Sequence, residues 1–376
     1  MRVSSIRDAT AICSRDTMTA ARHFPSDYRQ ARANFIEAAE AAGLGVTTRV
    51  HPGATGPDGK KLFLDTATIG PREAKSALLL VSATHGVEGY FGSGSQTGLL
   101  REGLASRIPP GTKAVILHAL NPYGFSWNRR VNEDNADINR NFVDHANPPA
   151  NDAYDLLADA IAPKDISHDA IHAANAKLRA YQDQHGSFAL QTAISAGQYK
   201  HADGLYFGGS RESWSASMLK DVFREELAGI ERLIAIDFHT GLGEHGAAEM
   251  ITEDLPGTPA YTRAKNLWGA SVHSSEAGES LSAPLTGTLD AAVAEWMNGH
   301  ELTFAALEVG TRSMRDVLAA LRKDNWLHAR SDMNDAQAPA IKAAIRDGFY
   351  PDTDEWKEKV WNHAVKAVNA AIRALA

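Results

Sequence analysis

Four stretches of the chain are apolar at almost every position: SALLLVSA (76–83), KAVILHAL (113–120), ERLIAIDFH (231–239) and ELTFAALEVG (301–310). Continuous runs of this length read as strands buried on both faces. Between the first two, Gly89–Gly103 can hold a helix, which makes a strand–helix–strand unit. Upstream, apolar positions at helical spacing predict a helix from Ser26 to Ala42, capped by Ser26 and closed by Gly43. VTTRV (46–50) and LFLDTATI (62–69) are β-rich and are split by the turn-forming GATGPDGK (53–60). Residues 121–142 are polar and rich in Asn and Arg with no period, which predicts a long loop. From about 150 to 200 the chain is rich in Ala and His at helical spacing, a helical insertion or a cover over the sheet. The closing TDEWKEKVWNHAVKAVNAAIRALA reads as an amphipathic helix of about six turns. With no internal repeat and no Pro/Gly/Ser-rich linker, the pattern is that of one α/β domain with insertions.

Composition narrows the partners more than the fold. The 376 residues carry a formal net charge of −8, spread along the chain. Neither nucleic acid nor an anionic membrane gains electrostatic support from such a surface. Cys13 is the only cysteine, which excludes an intramolecular disulfide and a cysteine-rich metal site. The opening MRVSSIRDATAICSRD lacks the apolar stretch of a signal peptide, and no run approaches the ~20 apolar residues of a bilayer span. A cytoplasmic location is the expectation. Residues 1–20 could be a flexible leader, with Met18 as the true start.

The chemistry gathers where buried strands end. His-x-x-Glu occurs twice, at His85/Glu88 and His273/Glu276, and in a chain with 15 histidines that spacing alone says nothing. Context separates the two. HSSE (273–276) falls in a Ser- and Glu-rich stretch that reads as a solvated loop. HGVE (85–88) follows LLLVSAT, at the carboxyl end of a buried strand, where open α/β sheets place their ligand sites. A catalytic zinc takes three protein ligands and keeps one position open. His239, ending IAIDFH, is the natural third, with Asp237 placed to orient a histidine from behind. Glu308 ends the fourth apolar strand; it could pair with Arg312, or it could take a proton from water in such a site. The loop RRVNEDNADINRNF (129–142) adds three arginines among asparagines, the donors that suit carboxylates and oxyanions. Two other motifs fail on context. GLGEHG (241–246) matches G-x-G-x-x-G but opens no convincing helix. GGSRE (208–212) lacks the final glycine of a hydrolase elbow.

Five ordered blocks together resemble the zinc carboxypeptidase superfamily, in its bacterial branch related to succinylglutamate desuccinylase and aspartoacylase: HGVEG (85–89), NPYG (121–124), RRVNEDNADINRNF (129–142), DFHTGLG (237–243) and LEVGT (307–311). GLYFGGSRESWS (204–215) and ALRKDNWLH (320–328) resemble segments of an uncharacterised subfamily of that branch. The resemblance implies an α/β fold with a central mixed, mostly parallel sheet flanked by helices, over residues 21–376 with the helical insertion at 143–200. It implies one Zn2+ per chain on His85, Glu88 and His239, and water activated by the zinc and Glu308. Asn139 and Arg140 match the pair that holds the substrate's terminal carboxylate. Arg130 matches the arginine that polarises the scissile carbonyl, with Arg129 adjacent to it. The tyrosine that carboxypeptidases carry between the third ligand and the catalytic glutamate has one counterpart by position, Tyr261, in no matching motif.

The function expected from these residues is zinc-dependent hydrolysis of an amide bond beside a free carboxylate. The substrate is then an N-acyl amino acid or a short peptide, with no nucleic-acid or membrane partner. The alternatives are a zinc- or ligand-binding protein of the same fold without catalysis, and a nucleotide enzyme built on GLGEHG.

Overall fold

A computed structural model describes residues 20–376 of the chain; most of the leader expected at 1–20, Met18 included, lies outside the described residues. Eight strands form one sheet: β1 (Val46–Thr55), β2 (Lys61–Ile69), β3 (Ser76–Val81), β4 (Thr112–His118), β5 (Arg232–Thr240), β6 (Ala248–Thr252), β7 (Val272–Ser274) and β8 (Glu301–Val309). Their order is β1-β2-β4-β3-β5-β8-β6-β7. The four strands read from their apolar runs are the parallel centre, β4-β3-β5-β8. β1, β2 and β6 are joined antiparallel around it, and β7 runs parallel to β6 at the far edge. The sheet is thus mixed and mostly parallel at its core.

Alternate side chains of the central strands feed two hydrophobic layers. Leu78, Leu80, Ile234, Ile236 and Leu307 pack with the helices Tyr28–Ala41, Gly89–Arg101 and Asp354–Leu375. Ala77, Leu79, Leu233, Ala235 and Phe304 pack on the opposite face with the helices Trp214–Glu226 and Leu289–Met297. Helix Gly89–Arg101 is buried along nearly its whole length, between the sheet and the first and last helices. Its glycines make this possible: a Cβ on Gly98 would stand 2.5 Å from the Trp361 ring. A third layer joins the expected helical insertion, Asp152–Ile161, His168–His185 and Ser187–Ser195, to helices Met314–Arg330 and Ala338–Phe349 through Tyr154, Leu157, Leu321 and Phe349. No described helix is long and apolar enough to cross a membrane.

Local differences from the sequence reading have physical causes. The first helix starts at Tyr28 with Asp27, not Ser26, as its cap, because the Asp27 carboxylate accepts the Gln30 N–H at 2.9 Å. The loop 121–142 holds a short helix at Pro122–Ser126, capped by Asn121, and a 3-10 turn at Ile138–Arg140. HSSE is not all loop: His273 lies on β7, its Nδ1 2.9 Å from Glu249 Oε1.

Candidate metal centre

The carboxyl ends of β3, β5 and β8 meet on the face that carries Leu79, Ala235 and Phe304. Parallel pairing in register sets His239 directly beside Glu308. After β3 the chain turns through HGVEG, where Gly86 presses on another backbone: a Cβ there would meet the Gly124 carbonyl carbon at 2.0 Å. The Gly86 and Val87 N–H groups donate to the carbonyls of Arg130 and Arg129. The turn and the arginine pair are therefore fixed to each other by backbone, and only glycine fits the contact.

Three side chains converge there and are buried: His85, Glu88 and His239. His85 Nδ1 lies 2.9 Å from Glu88 Oε1. His239 Nδ1 lies 3.0 Å from Glu88 Oε2 and 3.2 Å from His85 Nδ1. The far nitrogens both face carboxylates: His85 Nε2 is 3.1 Å from Asp137 Oδ1, and His239 Nε2 is 2.7 Å from Asp237 Oδ2. A carboxylate accepts only, so Asp237 fixes the proton on His239 Nε2 and turns its Nδ1 lone pair toward the centre, while His85 Nε2 faces both Asp137 and the Arg130 guanidinium, whose Nη2 is 2.8 Å away. Two ring nitrogens and a carboxylate gathered at one point are held best by a cation between them. Ligands at 2.0–2.2 Å in tetrahedral array stand about 3.3 Å apart, close to these spacings. The donor set, two imidazoles and a carboxylate with carboxylates behind, fits zinc. Burial opposes charge on His239, yet Asp237 and Glu88 hold its pKa well above the ordinary value.

Around the three lie the other residues singled out in the sequence. Glu308 is buried, and its Oε1 accepts the Leu242 N–H at 2.8 Å. Burial, and then the nearby Glu88 charge, push its carboxyl up to about 8. It does not pair with Arg312, which bonds Asp347. Arg130 donates from Nε to Asp137 at 2.9 Å and stands over Glu88 and His85. Arg129 turns away, to Asp324 and Asn135. Arg140 spends Nε–H and one N–H from each terminal nitrogen on the carbonyls of Ser195 and Asn139, which leaves two N–H groups free. Asn139 Oδ1 accepts the Leu289 N–H at 2.8 Å, which leaves its NH2 free to donate. His85, Arg130, Asn139, Arg140, His239 and Glu308 all line one cavity of about 170 Å3.

Residues from the helical insertion, Gln191, Ile194 and Ser195, form one wall of this cavity. Tyr261 is not among the residues that line the cavity; its hydroxyl donates to Glu279. Four groups at or beside the centre escaped the sequence reading. Asp137 is one of three acids in NEDNADINR, and nothing local marks it out. Thr84, next to His85, donates its hydroxyl to Asp237 at 2.8 Å. Glu253 and Asp290 also line the cavity and come from segments with no motif.

Burial raises the Glu253 carboxyl from 4.5 to about 7, with Thr288 and Arg140 opposing and Glu276 adding to the rise. Burial, then the charges of Glu253 and Asp254, hold Asp290 well above its ordinary value. An acid with a raised folded pKa binds more protons folded than unfolded, so its stabilising contribution is complete below 4.5 and is lost as pH rises through about 7. Chelator-treated Glu253→Gln should therefore melt close to the native protein at pH 4.5 and several degrees above it at pH 7.5. A melting difference independent of pH would contradict this.

Residues 24–363 match a family described as a protein of unknown function (DUF2817). No curated protein matches the chain. Among solved structures the chain is similar to carboxypeptidase A from Helicoverpa armigera, at 12% identity and TM-score 0.43, covering 86% of this chain and 74% of that one. It is similar to a putative carboxypeptidase A from Shewanella denitrificans at 15% identity and TM-score 0.44, covering 94% and 71%. It is also similar to a succinylglutamate desuccinylase from a Silicibacter species at 16% identity and TM-score 0.39, covering 76% and 67%. The family model takes in every residue of the centre, from the turn after β3 to the end of β8, and the chain belongs to the DUF2817 family.

Proposed function

We propose that this protein is a zinc-dependent hydrolase that cleaves an amide bond next to a free carboxylate, in an N-acyl amino acid or a short peptide. The observation that carries the reading is the convergence of two imidazole Nδ1 atoms and Glu88 on one point, each imidazole backed by a buried aspartate. His85, Glu88 and His239 would hold the ion, which when bound acidifies water and polarises a carbonyl. The chain's own residues account for the rest. The two free N–H groups of Arg140 and the free amide of Asn139 point the substrate carboxylate into the cavity. Arg130, held by Asp137, offers its guanidinium to the carbonyl oxygen as charge develops there. Glu308 takes the proton from water and returns it to the leaving amine. The protein walls around the cavity limit water access and strengthen each of these interactions.

The test is metal analysis joined to a substrate panel. One zinc per chain is expected, with turnover of N-acyl amino acids or dipeptides bearing a free carboxylate. The same compounds as carboxyl amides should lose activity at least about 100-fold. Zinc without turnover of any member would favour a binding protein of the same fold.

A further inference from the structure

Tyr206 lines the same cavity; it falls in GLYFGGSRESWS (204–215), a block to which the sequence assigns no role. It has φ of +54°, a left-handed conformation that a bulky aromatic residue seldom adopts. Its surroundings hold it there. The Tyr206 carbonyl accepts the Gln198 N–H at 3.1 Å, and the Phe207 carbonyl accepts the Asp137 N–H at 2.7 Å. The Leu205 carbonyl accepts from the Tyr154 hydroxyl at 2.9 Å and from Gln198 Nε2 at 3.3 Å. Three consecutive carbonyls are thus tied back into the protein, and Tyr206 between them lines the cavity. A strained residue held by this many bonds is a sign of function when it faces a site.

The ring packs against both arginines of the centre. Its centroid is 5.1 Å from the Arg130 guanidinium carbon and 5.9 Å from that of Arg140. Both cations face its π-system at attractive range. The hydroxyl has no hydrogen-bond partner among the described residues, whereas Tyr28, Tyr90, Tyr154 and Tyr199 bond theirs; the Tyr350 hydroxyl is also unbonded, but Tyr350 does not line the cavity. An unbonded phenol facing a cavity beside two cations is a donor with nothing yet to donate to. Burial pushes it up, against the pull of Arg130 and Arg140, so it keeps its proton across the neutral range.

We propose that Tyr206 is a catalytic residue whose hydroxyl donates a hydrogen bond to the scissile carbonyl oxygen as negative charge develops there, alongside Arg130. Arg130 lies nearer the ring than Arg140, at 5.1 Å against 5.9 Å, and Arg130 is the arginine that also reaches Glu88 and His85, which assigns Tyr206 to the reacting end of the substrate. No bond to Tyr206 forms or breaks, and its proton stays on the phenol. This inference rests on the hydrolase reading above.

The decisive variant is Tyr206→Phe, which keeps the ring and its contacts with both arginines and removes only the hydroxyl. With zinc-loaded protein and the best carboxylate-bearing substrate of the panel, kcat should fall about 100-fold while KM changes less than about threefold. Zinc content and melting temperature should match the native protein. A kcat within twofold of native overturns the assignment, and so does a loss carried wholly by KM, which would move the hydroxyl to the substrate carboxylate. A fall in melting temperature accompanying the activity loss would make the hydroxyl structural and also overturns it. Failure of the hydrolase reading looks different, because the native protein itself then turns over nothing.

Discussion

Glu308→Gln should bind zinc as the native protein does, lose about 1,000-fold in kcat, and melt at an equal or higher temperature. The three outcomes have one cause. Glu308 is a carboxyl pushed up to about 8 by burial and by the charge of Glu88, so its ionised form is costly where it stands. Glutamine removes that cost and still accepts the Leu242 N–H, now held at 2.8 Å. The side chain is not one of the three that converge on the ion, so metal content should not change. What disappears is the only carboxylate beside His239 on the next strand that can take a proton from water. The pH profile follows with a definite sign: the base must be ionised, so kcat/KM rises with pH through its pKa. A cation at the neighbouring ligands draws that pKa down, and the acid limb should lie below pH 8. Gain of stability with loss of turnover is the signature of a group kept for chemistry. Near-native turnover by Glu308→Gln would remove it as the base.

The parts of this centre legible in the sequence are those mounted on buried strands. LLLV, LIAI and FAAL are apolar because both faces are covered, and an ionisable residue at the end of such a run stands out against it. His85, His239 and Glu308 were found this way, and the parallel register of β5 and β8 explains why the last two meet. Edge strands gave no such contrast. β1 continues through Pro52 to Thr55, into the start of the GATGPDGK turn (53–60), because an edge strand tolerates proline and its ladder slips between Val50 and Thr55. β6 and β7, of 5 and 3 residues, are too short to show a period. Asp137, Tyr206, Glu253 and Asp290 were invisible for another reason: each reaches the site through contacts far along the chain. Tyr206 needs the helical insertion on one side and the Asp137 loop on the other before its strained backbone means anything.

His239→Ala should lower bound zinc from one per chain to a small fraction at equimolar metal, with affinity reduced by more than the 10- to 100-fold typical of losing a group behind a ligand. Its imidazole supplies one of three protein donors, and the two that remain, His85 and Glu88, come from a single turn. Asp237→Asn is the informative companion. The asparagine keeps the shape, and Thr84 still bonds to it, but it no longer forces the proton onto His239 Nε2. Zinc should then bind at full stoichiometry with affinity about 10- to 100-fold weaker. Both variants should also melt below native with chelator present, His239→Ala more so. Without His239, Glu88 loses a partner at 3.0 Å and Asp237 one at 2.7 Å; both carboxylates remain buried, with His85 and Arg130 still beside Glu88 and the Thr84 hydroxyl still on Asp237. Asp237→Asn takes away only one of the two carboxylates that face the buried His239, so its loss should be smaller. Unchanged zinc stoichiometry in His239→Ala would exclude it as a ligand. Equal zinc affinity in Asp237→Asn would leave His239 as a ligand but deny that the carboxylate behind it sets the orientation of the lone pair.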